Sequence, residues 1–292
     1  MAEPVSVTIV MTVRETYSLT LQTIRDLFRR TTRTPFRLIF VNYRVPDEIL
    51  AEIRGLPSVE VVDSDSPYPS VSMYRCIPLL QTKYTVFLDN DLLFEDGWLE
   101  NLVSCLETSG AGIAGPAYLW KTDKIHMYGG DIRVEPIYAK ARRPFMMGSP
   151  ETAAITGRRF EERHHLVDKP RTLLRTLKPR KCDFVEFHCL VIRTELLRRG
   201  VLDPALCVVH QHIDLSLRAR QLGYDTWTTP DSVVTYVNDK PLQKGEREFF
   251  LARWDPAAAE RDIRHFCNKW GVADGSGFDS VRAFLARHVS GI

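Results

Sequence analysis

The sequence predicts an α/β fold in which a mainly parallel sheet is flanked by helices. Through about the first 90 residues, short apolar, β-branched runs alternate with stretches of helical period, which is the pattern of a βαβ series. One apolar run, residues 84–88, ends in two carboxylates one residue apart, Asp89 and Asp91. Crossovers between parallel strands are right-handed, and ligands lie outside the carboxyl ends of the strands. The acidic pair is therefore predicted to lie in a site.

The predicted elements follow one another with short connections. In chain order they are a strand at 5–13, a helix at 16–30, a strand at 36–41, a helix at 46–54, a strand at 59–62, a helix at 74–81 and a strand from Tyr84. A later strand is predicted at 183–192 because its side chains alternate. A later helix is predicted from near His210 to Gly223, a residue suited to a helix C-terminus. A C-terminal helix opens at Asp255 with proline in its first position.

Composition is that of an ordinary globular chain. It has 292 residues, 44% hydrophobic and 26% charged, with a formal net charge of +2. No Gly/Ser linker, low-complexity tract or repeat divides it. The short apolar stretch near the N-terminus is needed as the first strand, so it predicts neither a signal peptide nor a membrane span, and a cytoplasmic location is expected. Six scattered cysteines form no CxxC pair, which argues against a zinc site or a disulfide framework.

The acidic pair suits a hard divalent cation. Residues two apart on an extended chain point the same way, so Asp89 and Asp91 can converge on one Mn²⁺ or Mg²⁺ ion beyond the strand. The alternative is that both carboxylates only cap the following turn, as short acidic motifs often do.

Several segments occur in the order and spacing of a known family. They are residues 7–15 (VTIVMTVRE), 38–42 (LIFVN), 70–76 (SVSMYRC), 86–98 (VFLDNDLLFEDGW) and 211–224 (QHIDLSLRARQLGY). Together they resemble the family 2 glycosyltransferases, which have the GT-A nucleotide-sugar-binding fold. The chain departs from the family pattern at Asn42, where an acidic residue is usual, and at Cys76, where an asparagine is usual.

The resemblance implies a donor site for a nucleotide-diphosphate sugar, with a UDP-sugar favoured, and an acceptor hydroxyl on a glycan or glycolipid. Asp89 and Asp91 would hold the metal. The residues that it implies around the nucleotide sugar are Thr12, Arg14, Glu15, Asn42, Arg75, Asp89 and Asn90. It also implies that residues 1–237 form the transferase domain, with a nucleotide-sugar and metal half at 1–120, a basic variable segment at 121–181, an acceptor half at 182–237 and a C-terminal helical extension at 238–292.

The catalytic base is where the chain departs most from the family. The family's Glu-Asp-x-Asp-Leu aligns with a segment in which Gln211 and His212 replace the first Glu-Asp pair. A histidine can act as a general base near neutral pH, so His212 is one candidate. Glu186 and His188, which lie on one side of the predicted strand, are the other candidates. The alternative is that these two side chains only form a pair packed against a neighbouring helix. Asp214 is a further catalytic candidate, with a helical ion pair to Arg218 as the alternative.

Basic residues concentrate between residues 140 and 181. Twelve Lys or Arg oppose four acidic residues there, a local charge of +8. In residues 169–181 leucines alternate with the basic residues. This segment is either a solvated surface loop or a contact with an anionic acceptor or with the inner face of a membrane. Nucleic acid is not an expected partner because the segment has few aromatic residues for stacking and no recognisable binding module accompanies it.

Two other functions remain open from sequence. A nucleotidyltransferase would share the sheet and the carboxylates, but it usually opens with a glycine-rich phosphate loop, and residues 10–15 contain no glycine. A non-catalytic binding protein on the same scaffold is the other, because a fold alone does not confer activity. The C-terminal aromatic residues are expected to pack their helices onto the sheet rather than to stack on a sugar; they are Phe249, Phe250, Trp254 and Trp270.

Overall fold

The computed structural model describes residues 7–120, 123–138, 155–237, 241–243 and 245–274. The strands are β1 Val7–Thr12, β2 Phe36–Asn42, β3 Val59–Asp63, β4 Tyr84–Asp89, β5 Leu92–Phe94, β6 Ile113–Trp120, β7 Lys124–Met127, β8 Gly130–Tyr138, β9 Ile155–His164, β10 Arg180–Cys182, β11 Cys189–Arg193, β12 Thr226–Tyr236 and β13 Ala273–Asp274. The α-helices are α1 Thr20–Arg30, α2 Asp47–Arg54, α3 Pro69–Cys76, α4 Trp98–Ser109, α5 Thr194–Arg198, α6 Gln211–Gln221, α7 Glu246–Arg253 and α8 Pro256–Trp270. Short 3-10 helices occupy Ile77–Leu79 and Arg171–Thr176.

Most of these strands belong to one large sheet. Its order is β10-β12-β6-β11-β4-β1-β2-β3, with β5 paired to β12 and β7 paired to β6. The neighbours from β4 to β3 are parallel, as are β6 and β12, whereas β10 and β11 run antiparallel to their neighbours. The predicted mainly parallel sheet is therefore confirmed. Strands β8, β9 and β13 form a separate three-stranded sheet.

The central strands are buried on both faces, which explains their continuous apolar sequences. In β1, Ile9 and Met11 pack into one core cluster with residues of α1, whereas Val10 packs into a second cluster that includes Met73 of α3. In register, Thr12 at the end of β1 lies opposite Asp89 at the end of β4. The loops that leave these two strands therefore start side by side at one edge of the sheet.

Two predicted elements differ from the structure. Helix α3 begins at Pro69, five residues before the predicted start, because a proline without an amide hydrogen suits the first turn. The strand predicted at 183–192 is wrong in its first part, since only Cys189–Arg193 is a strand and Phe184 makes an isolated bridge to Gly130. The residues between them form a loop.

Part of the basic segment is folded, which corrects the expectation of a solvated loop. Within residues 169–181 the structure has the 3-10 helix and the edge strand β10, and Leu174 is buried in an apolar cluster. Residues 139–154, which include the first basic residues of the segment, lie outside the described part of the chain.

The C-terminal helices pack as predicted. Asp255 caps α8 by accepting a hydrogen bond of 2.9 Å from the amide of Ala257, with Pro256 in the first turn. Phe249 joins the main core and Phe250 joins a smaller cluster with Trp254. The six cysteines all lie in the described part of the chain and form no disulfide. None of the described helices combines the length and apolar character needed to cross a bilayer.

Candidate active site

Asn90 fixes the loop that follows β1 to the end of β4. This buried side chain accepts a hydrogen bond of 3.1 Å from the amide of Arg14, and its Nδ2 donates to the Thr16 carbonyl (2.6 Å) and to Thr20 Oγ1 (2.8 Å). Three polar contacts leave the amide little capacity for a ligand. The sequence predicts Asn90 at the nucleotide sugar, and in the structure its side chain contacts the backbone of the loop that carries Arg14.

Asp89 lies between a histidine and an arginine. Its Oδ2 accepts a hydrogen bond of 2.8 Å from His188 Nδ1 and lies 3.6 Å from Arg14 Nε. Burial raises the pKa of Asp89 to about 7, although Arg14 acts to lower it. A negative charge here is costly without a cation beside it.

Asp91 is fully buried, and neither carboxylate oxygen has a hydrogen-bond partner among the described residues. Burial, and then the nearby charge of Asp89, raise the pKa of Asp91 well above its ordinary value. Orphaned buried carboxylate oxygens need an explanation, and a bound ion is one. Two adjacent carboxylates form an oxygen-rich donor set that fits a hard divalent cation such as Mn²⁺ or Mg²⁺.

Two arginines bring positive charge to the same place. Arg14 Nη1 lies 2.6 Å from the Tyr236 hydroxyl. Burial acts to lower the pKa of Arg14, but Tyr236, Glu15, Asp89 and Asp91 together raise it above the ordinary value. Arg253, from the end of α7, is 3% exposed, and its Nε and Nη1 have no hydrogen-bond partner in the described part of the chain. Burial, followed by the charge of Arg14, lowers the pKa of Arg253 to about 10, so it is charged at pH 7.

Arg14, Asp89 and Arg253 line one cavity of about 180 Å³, and Asp91 is not among its lining residues. This is below the roughly 300–1,000 Å³ of pockets that enclose drug-sized ligands, so the enclosed part fits a diphosphate or a sugar rather than a whole nucleotide sugar. Its lining consists of Arg14, Pro69, Asp89, Glu162, Glu186, Phe187, His188, Val208, Val209, His210, Gln211, His212, Arg253 and Trp254.

Histidines and glutamates form the remaining polar lining. Burial would raise the pKa of Glu186, but nearby histidines outweigh burial and lower it, so this carboxylate is ionised at pH 7. Burial lowers the pKa of His188 to about 3 and also lowers the pKa of His212. His212 Nε2 has no hydrogen-bond partner among the described residues, and Glu162 Oε2 lies 3.8 Å from it. The cavity therefore holds a neutral imidazole able to accept a proton.

Five of the residues that the sequence predicted for the site line this cavity, namely Arg14, Asp89, Glu186, His188 and His212. The structure does not place Asp214 in that lining, and its carboxylate binds Lys269 Nζ at 2.7–2.8 Å and Trp270 Nε1 at 2.9 Å instead of pairing with Arg218 as the alternative interpretation had it.

The other predicted residues lie around the site or away from it. Arg75 pairs with exposed Asp65, and Asn42 donates to Asp63 Oδ1 at 2.8 Å. Glu15 is buried and lies 3.7 Å from Arg14. Thr12, at the end of β1, is 2% exposed.

The sequence did not indicate Glu162, His210, Arg253 and Trp254 as cavity residues. Glu162 comes from β9, in the predicted basic variable segment, Arg253 is the last residue of helix α7, and Trp254 follows it. Trp254 was expected only to pack, and it both packs and lines the cavity. The adjacent Arg-Trp pair at 253–254 was the one available signal, because an arginine stacked on an aromatic ring often forms part of an anion site.

The family model described as Glycosyl transferase family 2 matches residues 8–200. The chain belongs to glycosyl transferase family 2. The match starts in β1 and ends after α5, so it includes Arg14, Asp89, Glu186 and His188, while α6 and Arg253 lie beyond it. No significant match is found among curated proteins.

A solved structure, that of GalNAc-T7 with UDP, GalNAc and Mn²⁺, is similar to this family 2 chain with a TM-score of 0.56 and 14% sequence identity. The alignment covers 98% of this chain and 57% of that chain, so this chain spans little more than half the length of its structural neighbour. The likeness shows that this family 2 chain has the GT-A fold, as the sequence resemblance implied.

Proposed function

We propose that the protein is a glycosyltransferase that uses Mn²⁺ or Mg²⁺ and moves a sugar from a nucleotide-diphosphate sugar, with a UDP-sugar favoured, to a hydroxyl group of a glycan or glycolipid. The observation that carries this proposal is that buried Asp89, followed two residues later by buried Asp91, lines one cavity with Arg14 and the buried Arg253. Membership of family 2, and a likeness to a protein solved with UDP, GalNAc and Mn²⁺, support the donor class. Neither comparison supports a nucleotidyltransferase.

The donor diphosphate would bind where the positive charges converge. Guanidinium groups form paired, charge-assisted hydrogen bonds with phosphate oxygens, and Arg14 and Arg253 both line the cavity. Asp89 and Asp91 would hold the cation. When bound, such a cation neutralises the charge that develops on the departing diphosphate.

His212 is proposed as the base that removes the acceptor proton. It lines the cavity, burial keeps it neutral at pH 7, and its Nε2 is available as an acceptor. Glu186 is the alternative, because it is ionised and 13% of its side chain is exposed. A single base of this kind fits an inverting displacement, in which the hydroxyl attacks the face opposite the leaving group.

We also propose that the protein is cytoplasmic and that residues 169–181 contact an anionic membrane face that carries the acceptor. Arg171, Arg180 and Lys181 already pair with acidic residues of the protein, which lowers the charge available to lipid. Exposed Lys169, Arg175 and Lys178 remain for this contact. Sedimentation with phosphatidylserine vesicles at low and high salt tests it, and a protein that ignores these vesicles at low salt excludes it.

The function is tested by incubating the protein with a panel of nucleotide sugars and Mn²⁺ and measuring the release of the nucleoside diphosphate. We expect release that stops with a chelator and returns with Mn²⁺. Asp91→Asn should lose most Mn²⁺-dependent donor affinity in calorimetry and keep its circular dichroism spectrum, since it removes a charged oxygen ligand.

The matched control is Asp96→Asn, an exposed acid in the next loop, between β5 and α4, which should bind the donor normally. Unchanged Mn²⁺-dependent affinity in Asp91→Asn would remove Asp91 from the site. Binding of the donor without release, with any acceptor, would instead support a non-catalytic binding protein.

A further inference from the structure

Three side chains from separate elements converge beside the cavity. His126 lies on β7, His164 ends β9, and Glu186 lies in the loop before β11. One ligand atom from each of the three lies within 4.8 Å of the others. No other group of three or more His, Cys, Asp or Glu side chains among the described residues meets this condition.

We propose that His126, His164 and Glu186 form a binding site for a divalent late transition metal, with Zn²⁺ as the ion that it takes. Imidazole nitrogen suits Zn²⁺, and two histidines with one glutamate form a known type of zinc ligand set that leaves a coordination position open. This site is separate from the pair Asp89 and Asp91, whose oxygen atoms suit harder ions.

The distances are close to those that a zinc ion requires. With bonds of about 2.0–2.2 Å in tetrahedral geometry, neighbouring ligand atoms lie about 3.3 Å apart. His164 Nε2 and Glu186 Oε1 are already 3.2 Å apart. The ligand atom of His126 lies within 4.8 Å of its partners, so the metal would draw His126 inward.

The surrounding structure holds these ligands in place. The Tyr118 hydroxyl donates a hydrogen bond of 3.0 Å to the carbonyl of Glu186, which fixes the loop. The ring of Phe184 packs so closely on Gly130 that a Cβ there would approach it to 2.3 Å, and Gly130 pairs in register with His164. Such outer contacts orient metal ligands in known sites.

The protonation states suit a metal. Burial lowers the pKa of His126 to about 4, so this imidazole is neutral at pH 7, and Glu186 is ionised. Metal ions bind neutral imidazole and ionised carboxylate. The lack of a CxxC pair argued against zinc, but that signal concerns cysteine ligands and gives no information about histidines 38 residues apart in the chain.

A metal at this site would have two consequences. It would join the three-stranded sheet, through His164, to the main sheet, through His126. It would also occupy Glu186, which lines the cavity, so Glu186 would be unavailable as the catalytic base.

The test is Zn²⁺ binding to tag-free, chelator-stripped protein, measured by competition with a chromophoric chelator. We expect one Zn²⁺ per chain, and a loss of affinity of about 10²-fold or more in His126→Ala and in His164→Ala. His165→Ala is the matched control, because His165 is the next residue and its Nε2 bonds to Asp131 at 2.6 Å. This control and Asp91→Asn should bind Zn²⁺ as the wild type does.

A spectroscopic measurement on the wild type does not depend on whether the variants fold. Co²⁺ bound at the site should give the visible absorption bands of four- or five-coordinate cobalt, and stoichiometric Zn²⁺ should abolish them. The proposal is overturned if the wild type binds no Zn²⁺, or if Asp91→Asn removes the binding while His126→Ala and His164→Ala keep it.

Discussion

His212 and Glu186 both line the cavity, and they differ in protonation. Burial keeps His212 neutral, whereas Glu186 is ionised among histidines. A base must be deprotonated at working pH and must gain affinity for the proton as the hydroxyl reacts. A carboxylate with a lowered pKa is deprotonated at working pH, but it is a weak base. The geometry and the protonation therefore together favour His212.

We predict that His212→Ala lowers turnover by about 10²- to 10⁴-fold, the usual range for a general base, while donor affinity is retained. In the wild type at saturating donor and Mn²⁺, kcat should fall only as the pH drops through the pKa of His212. Because burial lowers that pKa, the decline should begin below pH 6.5, the ordinary value.

Glu186→Gln provides the discriminating comparison. The charge of Glu186 raises the pKa of His212, so neutralising Glu186 should shift the acid decline of kcat to still lower pH. If Glu186→Gln abolishes turnover and His212→Ala retains it, the base is the glutamate. Normal turnover in both variants would refute this account of the mechanism.

Individual site residues were predictable from sequence where a local pattern marked them. Asp89 follows an apolar run, and Glu186 and His188 interrupt an otherwise apolar stretch. Arg253 had only the adjacent tryptophan as a local mark, and its role depends on α7 folding back over the cavity. His126 had no local mark, since its partners lie on other elements.

At the scale of elements, α6 and α8 are joined by a buried ionic contact. The carboxylate of Asp214, fully buried on α6, binds Lys269 and the indole of Trp270 on α8. Asp203 Oδ2 also lies 2.6 Å from Lys269. Asp214 therefore anchors the C-terminal helix and lies outside the cavity lining.

We predict that Asp214→Ala lowers the free energy of unfolding by about 2 kcal/mol. The substitution leaves the indole of Trp270 without this acceptor and removes one of the two carboxylates that contact Lys269. The remaining contact of Lys269 with Asp203 limits the loss of stability. Urea denaturation measures it, with Arg218→Ala as the control for the helical ion pair that the sequence suggested. Donor affinity and kcat should be kept under folding conditions, so a large loss of kcat with unchanged stability would return Asp214 to the catalytic site.

Element prediction succeeded where hydrophobic period and end signals agreed. Helix α6 ends at Gln221, and Gly223 follows with a positive φ of 87°, the conformation for which glycine is suited. The strand predicted at 183–192 was wrong because side-chain alternation does not show where backbone pairing stops. The backbone of Phe184 makes an isolated bridge to Gly130, and the chain then turns to bring Glu186 and His188 to the cavity.

At the scale of the whole molecule, the cavity is built from parts of the chain that are far apart in sequence. The loop after β1, the end of β4, strand β9, the start of α6 and the end of α7 all contribute to its lining. The βαβ pattern predicted a mainly parallel sheet but not the order of its strands. The placement of α7 was not predicted either, because it depends on packing of Phe249 and Phe250 into two different clusters.

This arrangement predicts that donor binding stabilises α7, although α7 lies outside the region that matches the family. Binding to the native state raises stability by about 2.7 kcal/mol at a ligand concentration one hundred times Kd, and the effect is greatest where contacts form. With UDP and Mn²⁺, amide hydrogen exchange should slow at Glu246–Arg253, where Arg253 would contact the diphosphate. Helix α4, which contributes nothing to the cavity lining, is the internal reference and should change little.

The same exchange experiment on two variants decides whether Arg253 transmits the effect. Arg253→Gln removes the charge that faces the cavity and should weaken UDP binding by about 10- to 100-fold, the equivalent of one charge-assisted hydrogen bond. It should also abolish the slowing at α7 under conditions that saturate the wild type. Arg247→Gln, an exposed position on the same helix, should behave as the wild type does. The contrary outcome is that the wild type binds UDP and Mn²⁺ tightly while the amides of α7 exchange as fast as they do without ligand. In that case the C-terminal helices are not part of the donor site, and the two arginines do not share the diphosphate.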